Sequence, residues 1–426
     1  MRSKLVSLTA IAVTALSLTL VGCSSGGSTS GGDSVKLVLG SWRTEDAAIW
    51  QDKILPAFEK ANPGITVEFA PVDTNEYNAA IQSQMDGGTG PDLITCRPYD
   101  VNVSWIEKGY LQKLDGSKAL DAFDSSSFAP WSSTDGTYCL PVAAVLAGFY
   151  YNKEIFKELN LTVPTTQAEF ISVLKKVKDN GKYAPLALGS ADSWQLGYNG
   201  LYSIGPNYWK GEEGRQGLID GTKKVTDPEF VAAIEAFNAW KPYLPAGQES
   251  LKYADMAQLF ALGKAAIIPD GSWDINQLAA NGVKLGVFGA PVAAAGDQRY
   301  QQEQPDMAIG ISAKTKHKAA ATKFIDWLAT PAFQELYVNN VPGFFAMAKE
   351  PVKYTNATAQ EFANLKKGAV LTPRLGLDKL SAGTPAFDDE VWRLLQLMYT
   401  TSGTSPNDVA SQLQSGLASW YPPQQK

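Results

Sequence analysis

The sequence predicts an α/β fold divided between two domains, and three observations predict it. The chain has 426 residues, more than one ordinary hydrophobic core accommodates. Past a short Ser/Gly-rich stretch, strand-like and helix-like patterns alternate over about a hundred residues, the pattern of a parallel sheet. Three apolar runs also end alike, in small residues, then a Trp, then polar side chains.

Taken in order, residues 35–39 form a first strand. Residues 44–61 read as a helix with Trp50, Ile54, Leu55 and Phe58 on one face, Thr44 as its cap, Pro56 as a bend and Asn62-Pro63-Gly64 as its stop. Residues 65–69 alternate as a strand, 75–86 form a second helix closed by Gly87-Gly88, and 93–95 form a short buried strand. The long apolar run 142–151 is expected to leave one domain and enter the other, and 309–312 to bring the chain back. Helices are expected at 167–180, 227–241, 318–328, 387–399 and 407–420, while Val341-Pro342-Gly343-Phe344-Phe345 breaks the helical pattern.

The three Trp-bearing exits carry the functional signal. The first strand leads to Gly40-Ser41-Trp42-Arg43-Thr44-Glu45-Asp46. The run 184–188 leads to Gly189-Ser190-Ala191-Asp192-Ser193-Trp194-Gln195. The run 265–268 turns through Pro269-Asp270-Gly271 to Ser272, a good N-cap, then Trp273 and Asp274. In open α/β sheets ligands bind outside the carboxyl ends of the strands, so three indoles there suggest one aromatic-lined cleft. Asp270 and Asp274 would accept hydrogen bonds beside Trp273. A Trp so placed also suits simple packing between helix and sheet.

The net charge of −6, without any Lys/Arg run beyond pairs, argues against a nucleic-acid partner. Arg2 and Lys4 precede an apolar stretch, 5–20, that ends in Leu20-Val21-Gly22-Cys23. This tetrad resembles a bacterial lipobox, which implies a signal peptide at 1–22, lipid on Cys23 and attachment to a membrane by that lipid. Residues 24–34 contain only Ser, Gly, one Thr and one Asp, and are expected to be a flexible tether. Of three Cys, Cys96 and Cys139 remain, as a disulfide or as two buried thiols. His317 is the single His, so neither a Ser-His-Asp triad nor a His-rich metal site can be assembled, and no cofactor motif occurs.

The segments "FEKANPGITVEF", "GTGPDLI", "LPVAAVLAGFYYNKEIF", "FALGKAAIIPDGSW" and "GISAKTKHKAAATKFIDWLATPAFQELY", in this order, resemble the extracellular solute-binding proteins of ABC sugar importers of the maltose and raffinose type. The resemblance implies a two-lobed periplasmic-binding-protein-like fold, each lobe a mostly parallel sheet flanked by helices, joined by crossing segments. Lobe 1 would take 35–146 plus 312–340, and lobe 2 would take 147–311 plus 341–426. It implies ligand contacts from Trp42, Arg43 and Glu45 after the first strand, from Arg97, Tyr99 and Asp100 after the third, from Trp273, and from Phe344 and Phe345; Trp194 matches by its place in a cleft-side loop. Cys96 stands where the family often has an aromatic residue. The implied partners are a mono- or oligosaccharide and the permease subunits of a transporter, with the binding protein itself monomeric and not an enzyme. A secreted glycosidase, which needs only two placed carboxylates, and the same fold holding a non-sugar solute are the alternatives.

Overall fold

The computed structural model describes residues 34–426. The signal peptide, Cys23 and all but the last residue of the tether lie outside the described residues. The strands are β1 (Val35–Ser41), β2 (Ile65–Pro71), β3 (Leu93–Cys96), β4 (Ser132–Ser133), β5 (Gly136–Thr137), β6 (Cys139–Asn152), β7 (Ala184–Leu186), β8 (Ala265–Gly271), β9 (Leu285–Phe288), β10 (Arg299–Ile311), β11 (Phe345–Ala346) and β12 (Ala369–Thr372). β4 and β5 form a hairpin; the other ten make one sheet of order β2-β1-β3-β10-β6-β8-β7, with β9 and β11 also on β6 and β12 on β10.

Pairing is parallel at the two flanks, β2-β1-β3 and β8-β7, where strand and helix alternate. The centre is antiparallel, because β6 and β10 run in opposite directions between the lobes. The sheet is therefore mixed. Residues 139–146 of β6 pair with β10, and residues 147–151 pair with β8. β10 divides likewise: Arg299–Gln302 pairs with β12, and Ala308–Ile311 pairs with β3.

Each lobe has its own core. One gathers Leu37, Phe58, Ile94, Leu140, Ile309 and Phe324, all fully buried. The other gathers Phe149, Phe170, Ile234, Phe237, Leu394 and Val409. A third, smaller cluster around Leu146, Tyr150, Ile268, Phe345 and Phe362 lies beside the crossing segments. Burial of this kind contributes roughly 25 cal/mol per Å² of apolar surface.

The expected helix 44–61 begins at Ala47 and contains a π-helical turn, Trp50–Ile54, before Leu55–Ala61. Pro56 directly follows the π turn inside a continuous helical run, and that turn accommodates the proline ring and its missing N–H. Thr44 contributes its carbonyl to the Ala47 N–H and makes no side-chain cap. Ser272 is not an N-cap either: its hydroxyl accepts from the Leu146 N–H at 3.1 Å and donates to the Gly343 carbonyl. It thereby ties two crossing segments together. Gly343 has φ +98°, and a Cβ there would stand 1.7 Å from the Ser272 carbonyl oxygen, so glycine is required at this junction.

Cys96 and Cys139 form a disulfide, with an S–S distance of 2.01 Å and a sequence separation of 43. It joins the end of β3 to the start of β6 inside the first lobe.

Candidate functional site

β10 was expected only over its last few residues, because its first half reads RYQQEQPD and lacks an apolar face. Its three glutamines are nevertheless inside. Gln301, Gln302 and Gln304 are 1, 1 and 4% exposed. The register shifts between Pro305 and Met307, which leaves Asp306 as an unpaired, bulged residue. Bulges commonly re-aim a side chain beside a site.

Around this strand the loops of both lobes converge. Trp42 is packed edge-on to Tyr77 at 5.6 Å and covered by the Arg97 guanidinium at 4.5 Å from its ring. Arg97 also donates to the Thr74 carbonyl at 2.9 Å. Arg43 lies over the Phe344 ring, is held by Asp46 and Glu45, each at 2.7 Å, and donates to the Trp273 carbonyl at 3.2 Å. That last bond runs from the first lobe to the exit of β8. Burial works against the charge of Arg43, and Asp46 and Glu45 outweigh it.

On the other side, Trp273 donates from its indole N–H to the Tyr253 hydroxyl at 2.8 Å and packs on Tyr198 at 5.4 Å. It is half-buried and also touches the first lobe's core. Gly271 makes this possible, since a Cβ there would meet the Trp273 ring at 1.8 Å; the indole folds back over bare backbone. Trp194 packs on Tyr253 at 4.9 Å. Asp270 and Asp274 are each 1% exposed. Asp270 Oδ1 accepts from the Gly271 N–H at 2.7 Å, from Asn199 at 3.3 Å and from Tyr253 at 3.4 Å. Burial, and then the neighbouring Asp274, holds the Asp270 carboxyl well above the usual range. Burial pushes Asp274 up to about 6, opposed by the nearby Tyr253 and Arg43.

Several polar atoms gathered here have no hydrogen-bond partner within the protein: Asp270 Oδ2, both Asp274 oxygens, Asn199 Oδ1, the Tyr198 hydroxyl, the Gln302 amide and Arg97 Nε. Each buried orphan costs roughly 1–3 kcal/mol, and native interiors hold few. Those between the lobes include both carboxylates of the Asp270–Asp274 pair and mark the candidate site. Two hollows elsewhere, of about 290 Å³ beside Pro331 and Lys353 and about 350 Å³ beside Glu158 and Leu262, contain none of these groups.

The other expected residues fall less centrally. Tyr99 is half-buried with a strained φ of 60° and lies toward Arg215, and Asp100 is exposed and lies toward Arg374, both arginines of the second lobe. Phe344 and Phe345 are 0 and 3% exposed and belong to different cores, so Phe344 supports Arg43 from below and Phe345 packs at the crossing. Sequence reasoning passed over Tyr198, Asn199, Tyr253, Gln302, Gln304, Asp306 and Arg374. Tyr198 and Asn199 lie on a π-helical segment, Leu196–Leu201, and π turns recur at functional sites. Arg374 pairs with Asp388 at 2.9 Å and lies over the Tyr198 ring. Among the described residues no group of three or more His, Cys, Asp or Glu could hold a metal ion.

Two lobes joined by antiparallel crossing strands, with polar and aromatic side chains of both meeting between them, define a two-lobed α/β fold with a candidate site at the junction. The family model for bacterial extracellular solute-binding proteins matches residues 40–335, and the chain belongs to that family. It is 28% identical over 298 residues to the multiple sugar-binding protein of Streptococcus mutans, covering 67% of this chain and 69% of the relative. It is 26% identical over 358 residues to the galactooligosaccharide-binding protein of Bacillus subtilis, covering 79% and 81%. Its fold is similar to that of the SBP RafE in complex with raffinose, with a TM-score of 0.75, 22% identity, and coverage of 92% of this chain and 100% of the other. A chitin oligosaccharide binding protein has a TM-score of 0.76, 21% identity and coverage of 91% and 99%. Among the described residues no helix is long and apolar enough to cross a membrane.

Proposed function

We propose that this chain is the substrate-binding lipoprotein of an ABC importer, and that it captures an oligosaccharide between its lobes and hands it unchanged to permease subunits. The observation that carries this is the cluster of orphaned, buried polar groups around the Trp273 indole. A pyranose offers a face of C–H bonds to an indole and a rim of hydroxyls to carboxylates, amides and guanidinium groups. The ring face is removed from water, and each hydroxyl replaces water with a fixed partner. The names of the Streptococcus and Bacillus relatives support sugar over another solute. Trp42, Arg43, Arg97, Trp194, Asp270, Trp273 and Asp274 keep their expected roles in this reading. Glu45, Tyr99 and Asp100 act at the rim, and Gln302, Gln304, Asp306, Tyr198, Asn199 and Arg374 join them.

The lobes divide near residue 146 of β6, within residues 303–306 of β10, and between Phe344 and Phe345. This moves Met307–Ile311 and Val341–Phe344 to the first lobe, with whose core Met307, Ile309, Ile311, Val341 and Phe344 pack. Ligand contacts on both sides would favour the closed arrangement, and permease subunits would recognise it. Cys23 would carry the lipid and hold the monomeric protein on the outer face of the cell membrane. Titration of the protein with a panel of oligosaccharides tests the reading. Saturable Trp fluorescence change with the sugar recovered intact is expected. Hydrolysis of the sugar would point to a glycosidase, and a response confined to a non-carbohydrate solute would reject the sugar.

A further inference from the structure

Charge is matched unevenly across the gap. Arg43 is held by Glu45 and Asp46, and Arg374 by Asp388. Arg97 is opposed chiefly by Asp306. The Arg43 charge that reaches Asp274 is already held by Glu45 and Asp46, and Asp270 and Asp274 form no ion pair with any Lys or Arg among the described residues. Three of their four oxygens are orphaned, and beside them Asn199, 3% exposed, leaves its Oδ1 without a partner. Two adjacent buried carboxylates cannot both be ionised without a counter-charge.

We infer that Asp270 and Asp274 form a subsite that holds one proton between them, accepts hydrogen bonds from ligand hydroxyls and excludes anionic saccharides. The inference rests on the saccharide-binding reading of the gap. With one proton on Asp270, the Asp274 carboxylate keeps acceptor capacity beyond what Asp270 and Tyr253 fill, and a sugar hydroxyl takes it through a charge-assisted bond. A uronate or sulfate brought to the same place adds like charge in a buried setting. Ligand donors stabilise the ionised form of Asp274. Binding near pH 6 therefore releases its proton to the solvent, and affinity falls as the pH drops below that point.

The groups that face the pair do not supply this dependence. Tyr253 from the helix Tyr253–Ala261, Tyr150 from β6 and Tyr198 from the π segment are all held neutral by burial. Arg43, after β1, stays charged, and Glu45 is ion-paired to it.

The test uses the full-length mature chain. Raffinose, stachyose, xylo-oligosaccharides and chito-oligosaccharides are first screened at pH 7.5, and the tightest binder becomes the probe. Its affinity is expected to fall about tenfold between pH 7.5 and pH 5. The Asp274→Asn variant should bind at pH 7.5 much as the wild type does at pH 5, with a flat pH profile. Calorimetry of the wild type at pH 6 in two buffers of different ionisation enthalpy should give roughly half a proton released per sugar bound, a readout independent of any variant. Trigalacturonate should bind at least about tenfold more weakly than α-1,4-galactotriose, with the difference reduced in Asp274→Asn. A probe that binds with a flat pH profile and no proton release overturns the inference and leaves the sugar reading standing. Trigalacturonate binding as tightly as its neutral counterpart does the same. Failure of every saccharide to bind overturns both.

Discussion

β6 and β10 lie side by side, are almost equal in length and both cross from one lobe to the other. β6 reads CLPVAAVLAGFYYN, and all but one of its residues are buried. β10 reads RYQQEQPDMAIGI and buries glutamines where β6 buries Val, Ala and Leu. Both are interior strands, so position does not separate them. What separates them is the work each side chain does: those of β6 meet other side chains of the protein, whereas Gln302 and Gln304 present amide atoms that nothing in the protein satisfies. A strand that only holds the lobes is written in apolar residues. On the proposed reading, a strand that lines the binding gap is written in polar ones, and it accepts a folding cost for doing so.

Substitutions should divide the same way. The largest effect is expected from Leu140→Ala in the fully buried first half of β6, which should cost about 2–5 kcal/mol of unfolding free energy by denaturant titration. The molecules that remain folded should bind sugar as before, and a parallel loss of affinity would break the comparison. Next comes Asp274→Asn, measured without ligand. A buried carboxyl raised to about 6 contributes stability below the ordinary carboxylate range and loses it as pH rises through 6. The variant should therefore exceed the wild type by up to about 3 kcal/mol at pH 7.5 and by little at pH 4. Equal stability at both pH values would mean that Asp274 ionises freely. Trp273→Ala should weaken sugar binding by about 2–3 kcal/mol, on the order of a hundredfold, with a melting temperature within a few degrees of the wild type. A collapse in melting temperature would make the indole a core residue. The smallest effect is expected from Gln302→Ala: an affinity loss of about 1–2 kcal/mol, with stability unchanged or slightly improved because an unpaired amide is gone. Lost stability there would place β10 with β6.

Much of the fold was legible because hydrophobic periodicity reports it. β1, β2 and the helices Gln167–Asn180 and Lys318–Leu328 bury one side against a core, and β3 and β6 read as apolar runs because they are buried on both faces. The antiparallel centre of the sheet was not legible, since pairing partners such as Gly310 and Ile94 are far apart in the chain. Indole and charge at the strand exits pointed to the gap, and Arg43 does reach across to Trp273. The rest of the site escaped for the same reason that defines it. Gln302, Gln304 and Asp306 sit inside without the apolar pattern that advertises the inside, and Tyr198 and Asn199 ride on a π turn whose register no 3.6-residue pattern finds. Ser272 looked like a cap because Ser commonly is one, while its two distant partners are set only by tertiary structure.

Phe344 and Phe345 are consecutive, yet one ring is anchored in the first lobe's core and the other in the cluster around Tyr150 and Phe362. No spare residue lies between the two anchors. Any swing of one half against the other must pass through the backbone torsions of that single peptide junction and its immediate neighbours, Gly343 among them. The chain has no slack at this crossing, so its share of any swing falls on one pair of adjacent residues, while β6 and β10 carry theirs within longer strands.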